Sequence, residues 1–144
     1  MTPDVNVLLA GSRLDHPHNG PALAWLDAAL EDCEKGRPLA IYPMVAAGFL
    51  RLVTHPKVFV RPTPHGAALA FLRAVLNSPG VEMPRLGNER FVFERLCEHH
   101  RLTGNDIPDA WIAAAVLAHH DHLVSFDKGF RRFLKTNEFT LLKP

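Results

Sequence analysis

The chain has 144 residues, 47% hydrophobic and 22% charged, with 16 Lys+Arg against 15 Asp+Glu and a formal net charge of +1. That size and balance suit one globular domain with a sizeable core, and no run approaches the ~18 consecutive apolar residues of a membrane span. The near-neutral charge excludes a strongly basic nucleic-acid binder, so any RNA contact must come from local patches or bridging metal ions.

Met1-Thr2-Pro3-Asp4 carries no basic-then-apolar signal segment. It reads as a short first strand ending at Asp4, with Pro3 awkward for a central position. Asn6–Ser12 follows as an apolar helical turn. Asp15–Pro21 is loop, rich in turn formers. A helix is expected from about Pro21 to Glu34, burying Leu23, Leu26, Ala29, Leu30 and Cys33, and Gly36 stops it. Leu39–Tyr42 is a strand, and Pro43 opens a helix from Met44 to Val53. Thr63 before Pro64 reads as the cap of a helix reaching about Asn77. Val81–Met83 is a minimal strand. Asn88 caps a further helix expected to bury Phe91, Phe93 and Leu96.

Cys33 and Cys97 fit no CxxC spacing. They read as small buried residues on helices in a reducing compartment, so a cytoplasmic location is expected. Short strands alternating with helices indicate an α/β fold with a mainly parallel central sheet of four to five strands and helices on both faces. No repeat, low-complexity run or linker divides the chain, so residues 1–144 are expected to form one domain.

The most informative stretch is Asn105 to Phe130. Pro108 fits only the first turn of a helix, which places a start near Ile107 or Pro108 and an end near His119. Ile112, Ala115, Val116 and His119 share one face, and Asp109 lies one turn before that stripe. Leu123–Ser125 is a strand with Asp127 just past its end, and Phe139–Leu142 is a fifth strand at an edge. Plain structural roles exist for these acids as well. Asp106 can be the helix N-cap, and Asp127 can cap the turn Lys128–Phe133.

All strands of a parallel sheet end on one edge, where ligands bind in open α/β folds. Asp4, Asp109 and Asp127 can therefore converge there. Clustered carboxylates repel and raise one another's pKa, and a divalent cation removes the difficulty. Mg²⁺ takes few protein carboxylates, keeps several waters and often meets substrate phosphate. The chemistry implied is phosphodiester hydrolysis without a covalent intermediate. Competing motifs are absent: there is no GxxxxGK[ST] and no GxSxG. His119, His120 and His122 lack the partners and spacing of a zinc site.

Asp4-Val-Asn-Val-Leu-Leu, Asp109-Ala-Trp-Ile-Ala-Ala and Ser125-Phe-Asp-Lys-Gly-Phe130 together resemble the PIN domain. With Asp15-His-Pro-His18, Trp25, Gly48–Pro56 and Gly104–Asp109, the whole chain is similar to VapC-type toxins of bacterial toxin–antitoxin modules. The resemblance implies a Mg²⁺- or Mn²⁺-dependent endoribonuclease restrained by a VapB-like antitoxin. By position it implies Asp4, Asp109 and Asp127 as metal-site acids, with Asn6 and Ser125 supporting them. Asp106 stands as an additional metal-site candidate. Arg51 either steadies the Thr54–Pro56 loop, the role favoured here, or meets RNA phosphate, and His16 either touches substrate or packs beside Trp25. A homodimer is expected.

Two positions depart from the family pattern. Many PIN nucleases carry a Glu three residues before the residue matching Arg51; Gly48 stands there, or Ala46 in a shifted register. Gly129 stands where an Asp often precedes the Phe. Either the branch works with three acids plus Asp106, or the chain is a weakened or inactive PIN-fold protein that binds antitoxin or RNA without cleaving.

Overall fold

The computed structural model describes residues Met1–Pro144. Five strands and six helices follow in the order β1 (Thr2–Pro3), α1 (Val5–Ser12), α2 (Asn19–Glu34), β2 (Leu39–Ala40), α3 (Pro43–Val53), α4 (His65–Leu76), β3 (Val81–Glu82), α5 (Glu89–His100), α6 (Asp106–Ala118), β4 (Leu123–Ser125) and β5 (Phe139–Leu141). A short 3-10 helix, Lys128–Arg132, joins the last two strands.

The strands form two parallel ladders, β1-β4-β5 and β2-β3. Two hydrogen bonds, from the Ala40 N–H to the Met1 carbonyl at 2.9 Å and from the Met1 ammonium to the Pro38 carbonyl at 3.4 Å, link them into the order β3-β2-β1-β4-β5. Pro3 explains why that link is thin. The Thr2 and Asp4 N–H groups donate to His122 and Val124 on the β4 side, at 2.8 and 2.9 Å. The residue between them would turn its N–H towards β2, and proline has none to give. A proline near the centre of the sheet is thus tolerated where the pairing is already interrupted.

Every residue of β1, β2 and β4 is buried, as expected of parallel strands covered on both faces by helices. The outer strands β3 and β5 are partly exposed. On the helical layers, α1 packs against α2 and α3, α3 against α4 and α6, and α5 against α6. Leu8, Ile41, Tyr42, Phe49, Val116, Leu123 and Phe130 are among the fully buried side chains of the main core.

Several local expectations need correction. Phe91 is 68% exposed rather than buried, while Phe93 and Leu96 pack against the core. The pattern Phe91-x-Phe93 has strand spacing, and on a helix the two rings point apart. Thr63 does not cap α4; Pro64 holds the cap position, and the Thr63 hydroxyl accepts from Arg13 Nη1 at 3.1 Å. Asp106 is the first residue of α6 rather than its cap, and Asn105 precedes it without a capping hydrogen bond. Cys97 is only partly buried.

Candidate functional site

The site is built on the junction between β1 and α1, which share no loop. Asp4 ends the strand and caps the helix: its Oδ1 accepts the Val5 N–H at 2.6 Å. Its Oδ2 accepts the Ser125 hydroxyl at 2.8 Å. That hydroxyl in turn accepts from Asn6 Nδ2 and the Asp127 N–H, both at 2.9 Å. Asn6 Oδ1 accepts the Phe126 N–H at 3.2 Å. The ends of β1 and β4 are therefore stitched together through Ser125, 0% exposed, and Asn6.

Asp109 enters from the first helical turns of α6, above the buried Ile112 and Ala113. Asp127 is exposed and caps the 3-10 helix, its Oδ1 accepting the Gly129 N–H at 2.7 Å. The plain capping role foreseen for Asp127 is thus occupied, yet the same carboxylate also faces a cavity. That cavity, about 600 Å³, is lined by Asp4, Asn6, Asp109 and Asp127, by Asn105, Pro108 and Ile112 of the α6 side, and by Val5. Its opposite wall is one face of α3: Met44, Ala47, Gly48, Arg51 and Leu52.

Burial pushes the Asp4 carboxyl up to about 6, with the charges of Asp109 and Asp127 adding to it; the bonds from Ser125 and Val5 act in the opposite direction. Asp109 is likewise pushed up to about 6, first by burial and then by Asp127, with Arg132 pulling it down. Two carboxyls in one cavity thus resist becoming negative together. The donor set is all oxygen, which suits a hard cation. No three acids stand close enough together to hold one ion directly; an ion such as Mg²⁺ takes one or two carboxylates itself and reaches others through its waters.

Of the sequence-derived candidates, Asp4, Asn6, Arg51, Asp109 and Asp127 share this cavity, and Ser125 lies directly behind it. Asp106 and His16 do not line it. Asp106 pairs with Arg132 Nη2 at 2.8 Å. His16 stands edge-on to His18, whose ring lies 4.7 Å from that of Phe126. Arg51, whose side chain forms no ion pair, is exposed on the cavity wall and does not brace the Thr54–Pro56 loop. Ala46 is 7% exposed and packs into the core, away from the cavity. Two features escaped sequence reasoning. Arg132 lies near Asp109 and Asp127, and its only signal was a position five residues beyond Asp127. Arg13, 9% exposed, ties Asp15, Arg61 and Thr63 together beneath the Phe59 ring and had no signal at all.

Comparison with known proteins adds an independent observation. The PIN domain matches residues 1–135. Ribonuclease VapC31 of Mycobacterium tuberculosis is 37% identical over 132 residues, covering 90% of both chains. Ribonuclease VapC25 of the same organism shows the same identity and coverage. Ribonuclease VapC43 is 35% identical over 131 residues, 90% of this chain and 87% of its own. Among solved structures, VapBC2 from Rickettsia felis bound to a promoter DNA fragment superposes with a TM-score of 0.69. At 19% identity, covering 99% of this chain and 98% of that one, it is alike in fold alone.

Proposed function

The chain belongs to the PIN-domain family, in its VapC branch, and from that premise we propose that it is a metal-dependent endoribonuclease, the toxin of a VapBC-like pair. The observation that carries the reading is the pair Asp4 and Asp109, both pushed to about 6 in one cavity beside Asp127. Such a pair is costly for a fold to keep unless a cation or substrate uses it.

Asp4, Asp109 and Asp127 would hold Mg²⁺ or Mn²⁺, which when bound neutralises the acids and polarises phosphate oxygen and water. The chain's own residues do the positioning. Ser125 and Asn6 fix the Asp4 carboxylate and tie it to the backbone that carries Asp127. Arg51 offers a guanidinium from the opposite wall, where a phosphate can take two N–H donors at once.

The reading is tested with labelled RNA in Mg²⁺, in Mn²⁺ and in EDTA, using the parent chain and Asp109→Asn. Cleavage with either metal, lost in EDTA and in the variant, is the expected result. Equal cleavage in EDTA, or by Asp109→Asn, overturns it.

A second reading rests on the α3 wall, which presents Met44, Ala47, Gly48 and Arg51 and no acid. A PIN-fold protein that binds antitoxin or RNA without cutting would show binding but no cleavage with either metal. Both readings include a VapB-like antitoxin, whose Arg or Lys can pair with the acids. The R. felis relative in fold is itself a VapBC assembly. The proposal includes a homodimer, supported by the exposed Phe91 and the open β5 edge; a strict monomer on gel filtration at high micromolar concentration counts against it. It also includes a cytoplasmic location, supported by two free cysteines. No helix is long and apolar enough to cross a membrane.

A further inference from the structure

Arg132 is a cation beside the acids that the reaction outlined above does not use. It is the last residue of the 3-10 helix that Asp127 caps. Its Nη2 pairs with Asp106 Oδ1 at 2.8 Å, and its guanidinium carbon stands 4.5 Å from the centre of the Phe133 ring. Phe133 is itself 9% exposed and fixed in the core. The guanidinium is therefore held at two points, by a carboxylate and by an aromatic face.

Those two contacts leave most of it unspent. Arginine carries five N–H donors, and Asp106 takes one nitrogen only. The two side chains are 35% and 47% exposed, so their pairing contributes little to stability. What the pairing does is fix a place. Arg132 stands close enough to Asp109 and Asp127 for all three charges to act on one another. Asp106 shares the first turn of α6 with the cavity-lining Pro108 and Asp109, though it does not line the cavity itself.

We propose that Arg132 is a substrate-binding residue that donates to an RNA phosphate at the rim of the acid cavity, and that Asp106 is a positioning residue that holds Arg132 there. The inference rests on the ribonuclease reading for the identity of the substrate. It gives Asp106 a task distinct from metal binding. Arg51 and Arg132 would then grip the RNA backbone from the two sides of the cavity. An arginine suits this better than a lysine, because its planar fork matches two phosphate oxygens and stacks on Phe133.

The test uses the full chain and a fluorescein-labelled single-stranded RNA, with binding followed by anisotropy in EDTA at several salt concentrations. Arg132→Ala is expected to weaken binding at least about fivefold and to flatten the slope of log K against log salt by about 0.7, the value of one phosphate contact on a single strand. Arg132→Lys should restore most of the slope but only part of the affinity. Asp106→Ala should weaken binding in the parent chain and change nothing further in Arg132→Ala. In Mg²⁺ or Mn²⁺ the Arg132 variants should lose mainly through KM, with melting temperatures close to the parent's. A merely structural Arg132 would shift the melting temperature and leave the salt slope alone. Affinity and slope indifferent to Arg132→Ala, or no RNA binding by the parent chain, overturn the inference. RNA binding that depends on Arg132 in a chain that never cuts upholds it and overturns the ribonuclease reading instead.

Discussion

Val5 lies against Gly48 so closely that a Cβ on residue 48 would come within 2.8 Å of Val5 Cγ2. Helix α3 packs directly on the start of α1 at this point, one residue after Asp4. The acid that many PIN nucleases carry on this helix cannot be restored here without moving Val5, a β-branched side chain with little rotamer freedom. Gly48→Glu is expected to lower stability by about 1–3 kcal/mol through overpacking. Ala46→Glu would bury a charge in the core and fare worse.

Ala47 offers a better place. It is exposed and lines the same wall of the cavity, one residue before Gly48. Ala47→Glu should leave stability within about 0.5 kcal/mol of the parent and tighten Mn²⁺ binding. Calorimetric titration with Mn²⁺, paired with thermal melts of all three variants, checks the order. Gly48→Glu matching Ala47→Glu in both measurements would show that Val5 yields freely.

Ser125→Ala removes a hydroxyl that serves three groups at once: Asp4, Asn6 and the Asp127 backbone. The Asp127 N–H and the Asn6 amide would lose their partner in a half-buried setting, a cost at the low end of about 1–3 kcal/mol. The Asp4 carboxyl should also rise further, since the Ser125 bond is the largest influence holding it down. Urea denaturation and a carboxyl NMR titration measure the two effects. An unchanged Asp4 titration would mean that the hydroxyl does not favour the ionised form.

The fold and the site were legible to different depths. Asp4, Asp109 and Asp127 could be placed on one edge because parallel strands end on the same side, and the helix starts are marked by Pro108 and by Asp127, which caps the 3-10 helix as expected, whereas Asp106 does not cap α6. The α3 wall could not be read the same way. Its sequence offers Gly48 or Ala46 as the place of the missing acid, whereas the cavity face runs through Met44, Ala47, Gly48 and Arg51. Which side of an almost wholly apolar helix faces a cavity is decided by its neighbours, here Val5, and not by its own pattern. The Arg132–Asp106 pair joins residues 26 positions apart in two different helices, and no local periodicity announces it. The polar cluster around Glu89 was equally silent, because the sequence shows an exposed-looking helix start where the structure buries a carboxylate.

Glu89 is 2% exposed, and its carboxylate accepts the Gly87 N–H and meets His119 Nε2. Burial pushes its pKa up, but the hydrogen bonds from Gly87, from its own N–H and from His119 outweigh that and hold it below 4.5. A depressed carboxyl stabilises the fold above its unfolded pKa, and the benefit is lost as pH falls through the folded value. His119→Ala should therefore cost about 2–3 kcal/mol at neutral pH by stranding a buried charge, and less in acid. Cleavage per folded molecule should not change, since the pair lies outside the cavity. Denaturation followed from pH 7 down through the acid range tests the trend; a loss that stays constant while Glu89 protonates would assign the effect to packing against Tyr42 instead.

Asp4 carries the opposite sign. Its carboxyl is raised from 3.8 to about 6 in the folded chain, so the native state holds a proton that the unfolded chain has released. Below about pH 4 both states are protonated and the site costs nothing. Between pH 4 and 6 the unfolded chain binds fewer protons than the native one, and stability falls as pH rises. Each pKa unit is worth about 1.4 kcal/mol, so Asp4 alone removes about 3 kcal/mol by neutral pH in metal-free buffer. Asp109 shifts in the same direction and adds to the trend. Asp4→Asn should abolish the Asp4 share while keeping a capping side chain for α1. The variant is thus expected to be more stable than the parent at pH 7 in EDTA and equal to it at pH 4. Mn²⁺ at pH 7 should raise the melting temperature of the parent, because binding to the native state alone stabilises it by mass action, and should do little for Asp4→Asn. Melting curves at the two pH values, with EDTA and with Mn²⁺, decide the matter. A parent chain whose stability is flat from pH 4 to 6 and indifferent to Mn²⁺ would remove Asp4 from the set of metal ligands.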